Sequence, residues 1–587
     1  MASLLVLTVL LPLVGSLVLF LSPGLDRNRA RLIALGTVLA TLALSVVLLM
    51  AFQRGVTTPQ FAQGPVNGPY GFAWMERLDI RFALGLDGIS IWLFALTSLL
   101  MITAVFASWE SINERAAPHY ALLLALQTGL LGLFSSLDVV LFYIFFEFTL
   151  IPLFFLIGLY GGPDRRRAAI TFFLYTLAGS LLTLLGVIAL VATHYLHTPN
   201  SVLTFSIPAL TQGLATLKYP EWFIANSWTS PQVLIFLLLF AGFAIKVPMF
   251  PFHSWLPLAH VEAPTAGSIL LAGVLLKVGS YGLMRFNLGM TPFGAKALFP
   301  LLASLAVIGI IYGALAALAQ TDVKRLIAYS SVSHMGFIVL GLFSMTEVGI
   351  DGAAIQMLNH GITTGALFAC VGIIYERYHT RQMAEMSGLW DRLPLFAFFF
   401  ILASMGSAAV PGLNGFVGEF PILAGTFARS PTAAVIASFG MVLGAYYLFW
   451  MLQRVVFGPL HEPHSGHGEH QDHAGPLNTG SHEDTPIRPV GWHEIAGLTP
   501  LMVLIVVIGV YPKPFLDRIR PSAAVIASSF HKMDDDEAEK TSALKSMRMG
   551  AASTGSARNR DNSAALEPNT VNMAAGPLTQ VVNKGDR

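Results

Sequence analysis

An all-α polytopic membrane fold of about fourteen transmembrane helices, two of them broken, is what this 587-residue sequence predicts. Three observations carry that prediction. Hydrophobic residues make up 55% of the chain and charged ones 11%, against about 25% charged in an ordinary soluble domain. Mean hydropathy is +0.66, so the apolar surface exceeds what a water-soluble globule can bury, and lipid must be the main solvent. The apolar residues fall in runs of roughly 20, the number needed to cross about 30 Å of hydrocarbon.

In chain order the runs lie at about 3–22, 32–53, 86–108, 119–137, 138–160, 168–195, 231–253, 260–284, 297–319, 322–345, 351–375, 394–420, 431–457 and 493–512. The first, MASLLVLTVLLPLVGSLVLFLS, has no basic leader or cleavage site and reads as a retained span. The third follows GLDGIS (Gly85–Ser90), where Asp87 reads as a helix cap. The seventh is expected to break at Pro248, which lacks a backbone donor and clashes with the preceding turn. The eighth opens on APTAGS, whose small residues suit close helix packing. The tenth follows Thr321-Asp322, a capping pair, with Lys324 and Arg325 reading as orientation signals. The twelfth is interrupted by Pro411, Gly412, Gly415 and Gly418.

An even number of spans puts both termini on one side. Loops after odd-numbered spans carry Arg27, Arg29, Arg31, Arg115, Arg165, Arg166, Arg167, Lys324, Arg325, Arg377, Arg381, Arg392, Arg454 and Arg488. Loops after even-numbered spans carry half as many: Arg54, Arg77, Arg81, Lys218, Arg285, Lys296 and Arg429. Cytoplasmic loops hold the excess of basic residues, so both termini are expected on the outer face.

Two stretches read as lying outside the membrane body. The loop His461–Asp484 is polar and His-rich; its irregular spacing favours a solvated loop over a metal site. From Lys532 onward charge, Ser, Ala and Asn dominate without period, as in a disordered tail. Net charge is +1, which argues against a nucleic-acid partner, and a single cysteine, Cys370, excludes a disulfide framework or an iron–sulfur ligand set.

Against this background a few charges stand out. Lys277 lies in EAPTAGSILLAGVLLKVGSYG (Glu262–Gly282), Lys246 in FAIKVPMF (Phe243–Phe250), and Glu147 in FYIFFEFTLIPLFF (Phe142–Phe155). A charge at mid-span costs at least about 2.5–3.5 kcal/mol, so such residues face a wet cavity or each other. Lys277 is twelve residues past Thr265, roughly 18 Å along a helix, too deep to snorkel out. Glu147 is equally central, with Pro152 about one turn further on.

The C-terminal half adds His334 in YSSVSHMGFIVLG, His360 in QMLNHGITTGALF and Glu419 at the end of the Pro/Gly-interrupted SAAVPGLNGFVGE. Each half thus has one broken span with a central charge, the pattern of repeats in transporters. Desolvation favours a neutral amine and a nearby carboxylate favours the ammonium, so a Glu147–Lys246 pair of variable distance gives Lys246 two protonation states. Lys277, the histidines and bridging water then form a relay towards Glu419. The alternative for His334 and His360 is hydrogen-bonding glue between helices.

The block AIKVPMFPFHSWLPLAHVEAPTAGSILLAGVLLKVGSYGLMRF (Ala244–Phe286) resembles the proton-conducting module of NADH:quinone oxidoreductase, respiratory complex I. TDVKRLIAYSSVSHMGFIVLG (Thr321–Gly341) is similar to another block of that family. Glu419, GLDGISIWLFALTSLL and Asn359–Gly361 look like chain M, whereas chains L and N usually carry lysine at the position of Glu419. The resemblance implies two inverted five-helix repeats, spans 4–8 and 9–13. It divides the chain into spans 1–3 (1–118), a first antiporter-like repeat (119–285), a second (286–457), a His-rich cytoplasmic loop (458–492), a last span (493–515) and a mostly disordered tail (516–587). It implies Glu147 and Lys246 as an antagonistic pair, Lys277 as central relay, His334 and His360 on the connecting axis and Glu419 as final carrier.

It further implies a subunit of a proton-translocating enzyme, in a bacterial-type cytoplasmic membrane, with no redox centre of its own. NADH, FMN, iron–sulfur clusters and quinone would belong to partner subunits, and the antiporter-like chains L and N would be neighbours. The rival reading is a subunit of a multisubunit Na+/H+ antiporter or membrane-bound hydrogenase. A passive scaffold does not account for central charges on at least four spans, because leucine there would be more stable.

Overall fold

A computed structural model describes residues 1–22, 24–64, 69–197, 203–216, 230–463 and 487–561. It forms two units, Met1–Phe530 and His531–Arg587. Among the described residues twelve helices are long and apolar enough to cross a membrane, from Ala2–Phe20 to Trp492–Val510. The runs expected seventh and twelfth are each divided. Pro231–Lys246 is followed, after a turn, by Trp255–Glu262, and Pro394–Ser407 by Asn414–Arg429.

The first break follows from the two prolines after Lys246, which cannot donate to the preceding turn. The carbonyl of Ile245, left open there, accepts instead from the indole Nε1 of Trp255 at 2.9 Å. The second break turns at Pro411-Gly412, where Gly412 has φ +89°, a conformation that glycine adopts without strain.

The polar helices are the inner ones. The membrane-length windows of Thr265–Leu288 and Glu347–Tyr378 are completely buried, whereas that of Arg27–Ala51 is 28% buried. Outer helices turn Leu, Val and Ile outward, as Leu174, Leu181, Leu185 and Ile188 do on Arg165–His197. Lipid meets those apolar side chains at no desolvation cost, and groups with hydrogen-bonding needs are gathered inside.

Thr265–Leu288 is not one regular α-helix. It runs as α-helix over Thr265–Leu270, π-helix over Leu271–Leu275, α-helix over Leu276–Gly282 and π-helix over Leu283–Leu288. Nothing in the apolar pattern announces these wider turns. The span Val139–Tyr160 is also interrupted, at Thr149, one turn before Pro152.

Asp87 caps the Ser90–Ala107 helix as expected, its Oδ1 accepting from the backbone N–H groups of Ile89 at 3.1 Å and Ser90 at 2.9 Å. It does more than that: Oδ2 pairs with the guanidinium of Arg285, and both side chains are largely buried. Removing one partner of a buried pair costs about 3–5 kcal/mol because the other is stranded. Asp87→Ala is therefore expected to lower the thermal unfolding midpoint of the purified protein in detergent; an unchanged midpoint would mean Arg285 finds another partner without loss.

Two features differ from expectation. Between the second and third spans the chain forms a two-stranded antiparallel hairpin, Phe72–Met75 with Ile80–Phe82, a small addition to a helical fold. And the segment expected as a disordered tail is helical over Lys513–Asp561. Up to Phe530 the cause is plain: Phe515, Ile519, Ala523, Ile526, Ala527 and Phe530 recur at helical spacing and are buried. Arg520 pairs with Asp351 at 3.4 Å and Asp517 with Arg54 at 3.8 Å. The charged, aperiodic residues from Lys532 onward outweighed this short amphipathic stretch in composition. Residues 562–587 and positions 464–486 of the His-rich loop lie outside the described residues.

Candidate functional site

Lys277 sits in the α-helical stretch between the two π turns and is 0% exposed. Its Nζ donates to the carbonyl of Ala272 at 2.5 Å, a group that the wider Leu271–Leu275 turn leaves within reach. The same Nζ is 2.6 Å from Nδ1 of His360, on the central helix Glu347–Tyr378. This bond runs either way: the ammonium donates to a bare Nδ1, or a protonated imidazole donates to a neutral amine.

From His360 the line continues. Its ring lies 5.6 Å, centroid to centroid, from that of His334 on Val323–Phe343. Nδ1 of His334 is 2.7 Å from Oε1 of Glu419 on Asn414–Arg429. Glu419 accepts a second bond at that oxygen from Nε2 of Gln356, at 3.1 Å. On its other side Nε2 of His334 is 3.2 Å from the hydroxyl of Ser407 and 3.3 Å from that of Tyr447. Four side chains named from sequence, Lys277, His360, His334 and Glu419, are thus brought into one buried row.

The remaining two are not joined to each other. Lys246 is buried at the end of its half-helix, its Nζ 3.4 Å from the carbonyl of Phe146 and 3.6 Å above that residue's ring. Glu147 is next in sequence to Phe146, and its charge acts on Lys246, but the two form no ion pair within 4.0 Å. The expected pair is therefore open here. One carboxylate oxygen of Glu147 is buried without a protein partner. The ring of Phe146 holds the ammonium through a cation–π contact in its place.

Two further residues belong to this row and were missed. His260 is completely buried, its ring stacked on Phe368 at 4.6 Å, and neither ring nitrogen has a protein partner. The charges of Lys324 and Lys277 both act on it. Lys324, expected to mark orientation at a helix start, is buried instead, with Nζ donating to the carbonyls of Ala263 at 2.6 Å and Val261 at 3.3 Å. The expected cap is present beside it, Asp322 accepting from Arg325 N–H at 3.0 Å. Both residues sit at the ends of apolar runs, where a histidine or lysine looks like an ordinary loop residue. Gln356 had a sequence signal, being one turn before His360 on the same helix.

Alternating ammonium, imidazole and carboxylate groups within hydrogen-bond or one-water reach can pass a proton by successive short transfers. Among the described residues no three His, Cys, Asp or Glu side chains cluster to hold a metal ion.

Residues 136–444 match the family model described as NADH:quinone oxidoreductase/Mrp antiporter, TM. The chain is 39% identical over 536 residues to NADH-quinone oxidoreductase subunit M of Rhodobacter capsulatus, covering 90% of this chain and 98% of that one. It is 38% identical over 524 residues to subunit M of Pseudomonas aeruginosa, covering 87% and 94%. Among solved structures, a chain of respiratory complex I from Thermus thermophilus with bound NADH superposes with a TM-score of 0.75 at 29% identity, covering 89% of this chain and 99% of that one. A chain of the Mrp complex from Dietzia sp. DQ12-45-1b superposes at 0.72 with 21% identity, covering 89% and 98%, a likeness of fold.

Proposed function

This chain belongs to the family of NADH-quinone oxidoreductase M subunits, and from that premise we propose that the row Lys277–His360–His334–Glu419, fed by Lys246 and Glu147, carries protons across the membrane when the enzyme reduces quinone. The observation that supports this reading most is the continuity of the row, with contacts of 2.6 Å and 2.7 Å at its two ends and one gap between imidazoles that a single water spans. A structural network has no need of such a sequence of groups that both take and give protons.

In the proposed cycle the open arrangement leaves Lys246 without a carboxylate, which favours loss of its proton towards Lys277. Closure of the Glu147–Lys246 distance favours the ammonium again. Lys277 passes its proton along the short bond to His360, water carries it to His334, and Glu419 receives it for release. No electron transfer is assigned to this chain. NADH, FMN, iron–sulfur clusters and quinone are placed in partner subunits, with antiporter-like chains L and N as neighbours. The distribution of arginine and lysine supports both termini on the outer face of a bacterial-type cytoplasmic membrane. Two inverted five-helix repeats, each with one broken span, account for the two divided helices.

Lys246→Ala tests the proposal in membranes, with NADH-driven quinone reduction and proton uptake followed together and the chain quantified by immunoblot. Both rates are expected to fall roughly five-fold with the chain still assembled, since the site is internal and a small side chain fits the space left. Wild-type proton uptake in an assembled variant would remove Lys246 from the relay.

A further inference from the structure

A cavity of about 20 Å³, room for one water, lies outside the row, between the ends of the Ser90–Ala107, Glu347–Tyr378 and Trp492–Val510 helices and the start of the Lys277 helix. Thr265, Gly372, Glu376, His493 and Glu494 are among the residues on its wall. The two carboxylates are not equivalent. Glu494 is committed: its oxygens accept from both terminal nitrogens of Arg377 at 2.8 Å each, and one also accepts from the Gly491 N–H at 2.5 Å. Glu376, one residue before Arg377, has no hydrogen bond or ion pair among the described residues. A carboxylate in a watered cavity with no committed donor is free to take and give a proton.

The cavity also leads somewhere. Gly372 brings the central helix against Thr265, the first residue of the Lys277 helix; a Cβ there would lie 3.0 Å from the Thr265 hydroxyl. Ser268, one turn on, donates to the carbonyl of His260 at 3.0 Å. Phe368, one turn before Gly372, is the residue on which the unpartnered His260 ring stacks. The next turn of the Lys277 helix brings Ala272, whose carbonyl holds the Lys277 ammonium. On the outward side, the exposed pair Glu110–Arg488 lies beside the same acidic group.

We propose that Glu376 collects protons from the cytoplasm and that the cavity water, Thr265, Ser268 and His260 hand them to Lys277. The step is a proton transfer only: Glu376 binds a proton from bulk water as a carboxylic acid and releases it to the cavity water, with no electron moved. This rests on the relay reading given above.

The test uses the whole enzyme reconstituted in liposomes, with NADH turnover and proton translocation measured together for Glu376→Gln, Glu376→Asp, Ala369→Val and Lys277→Ala. Ala369→Val fills the cavity wall and leaves every charge in place, so it carries the test if Glu376→Gln does not assemble. Glu376→Gln and Ala369→Val are expected to lower translocation about five-fold, and Glu376→Asp to keep at least half of it, a rescue that a merely structural carboxylate would not give. Wild-type translocation in assembled Glu376→Gln or Ala369→Val overturns the proposal. If Lys277→Ala alone loses translocation, the entrance is elsewhere and the relay stands; if all four translocate normally, the relay reading falls as well.

Discussion

In Lys277→Arg, NADH-driven proton translocation is expected to fall about a hundredfold, the low end of what a positioned acid–base group supplies. The substitution keeps the positive charge, so a role in charge balance alone predicts a mild effect. The site argues otherwise. Lys277 is fully buried, and its single nitrogen fits between the Ala272 carbonyl and the His360 imidazole. A guanidinium is larger, planar and does not release its proton in this range, so it can neither share that space nor pass a proton on. Fluorescence quenching by a pH-sensitive dye in proteoliposomes measures the outcome. Translocation at the wild-type rate would show that Lys277 need not change its protonation state.

Glu419→Gln is expected to cost roughly tenfold or more in the same assay, with Glu419→Asp retaining a substantial part. Glutamine keeps the size of the side chain and an oxygen that can accept from His334 and Gln356, the two groups now bonded to Oε1. What it loses is the ability to become an acid. Because the packing is preserved, the enzyme should assemble and bind its partners. A normal proton yield from Glu419→Gln would move the exit of the relay to another residue.

Much of this site was legible in the sequence because buried charge is rare in an apolar run. Lys246, Lys277, Glu147 and Glu419 each interrupt a span in which every neighbour is apolar or small, and desolvation makes such a residue costly unless it acts. The histidines were visible because Ser, Gly and Asn surround them on otherwise oily helices. The proline-rich breaks were legible for a covalent reason, the missing N–H. What could not be seen depends on three-dimensional neighbours. His260 and Lys324 stand near loop ends, where such residues are common, and only packing reveals them as buried. The open distance between Glu147 and Lys246 is a matter of conformation, which residue types do not encode. The helix after the last span is amphipathic for too few turns to outweigh the polar stretch that follows it.

The wider turns beside Lys277 have a further consequence. A π turn is a regular helix carrying one surplus residue, so Leu271–Leu275 and Leu283–Leu288 each behave as an insertion absorbed in place. Deleting a single residue from the first would let the helix close into regular form and swing everything after it by about 100° relative to what precedes it. Every amino acid of the row would still be present, and Lys277 would point elsewhere. The length of this segment, counted to the single residue, is therefore as much a functional determinant as the lysine it carries, and a drift in length there would be invisible to any comparison that scores only residue identity.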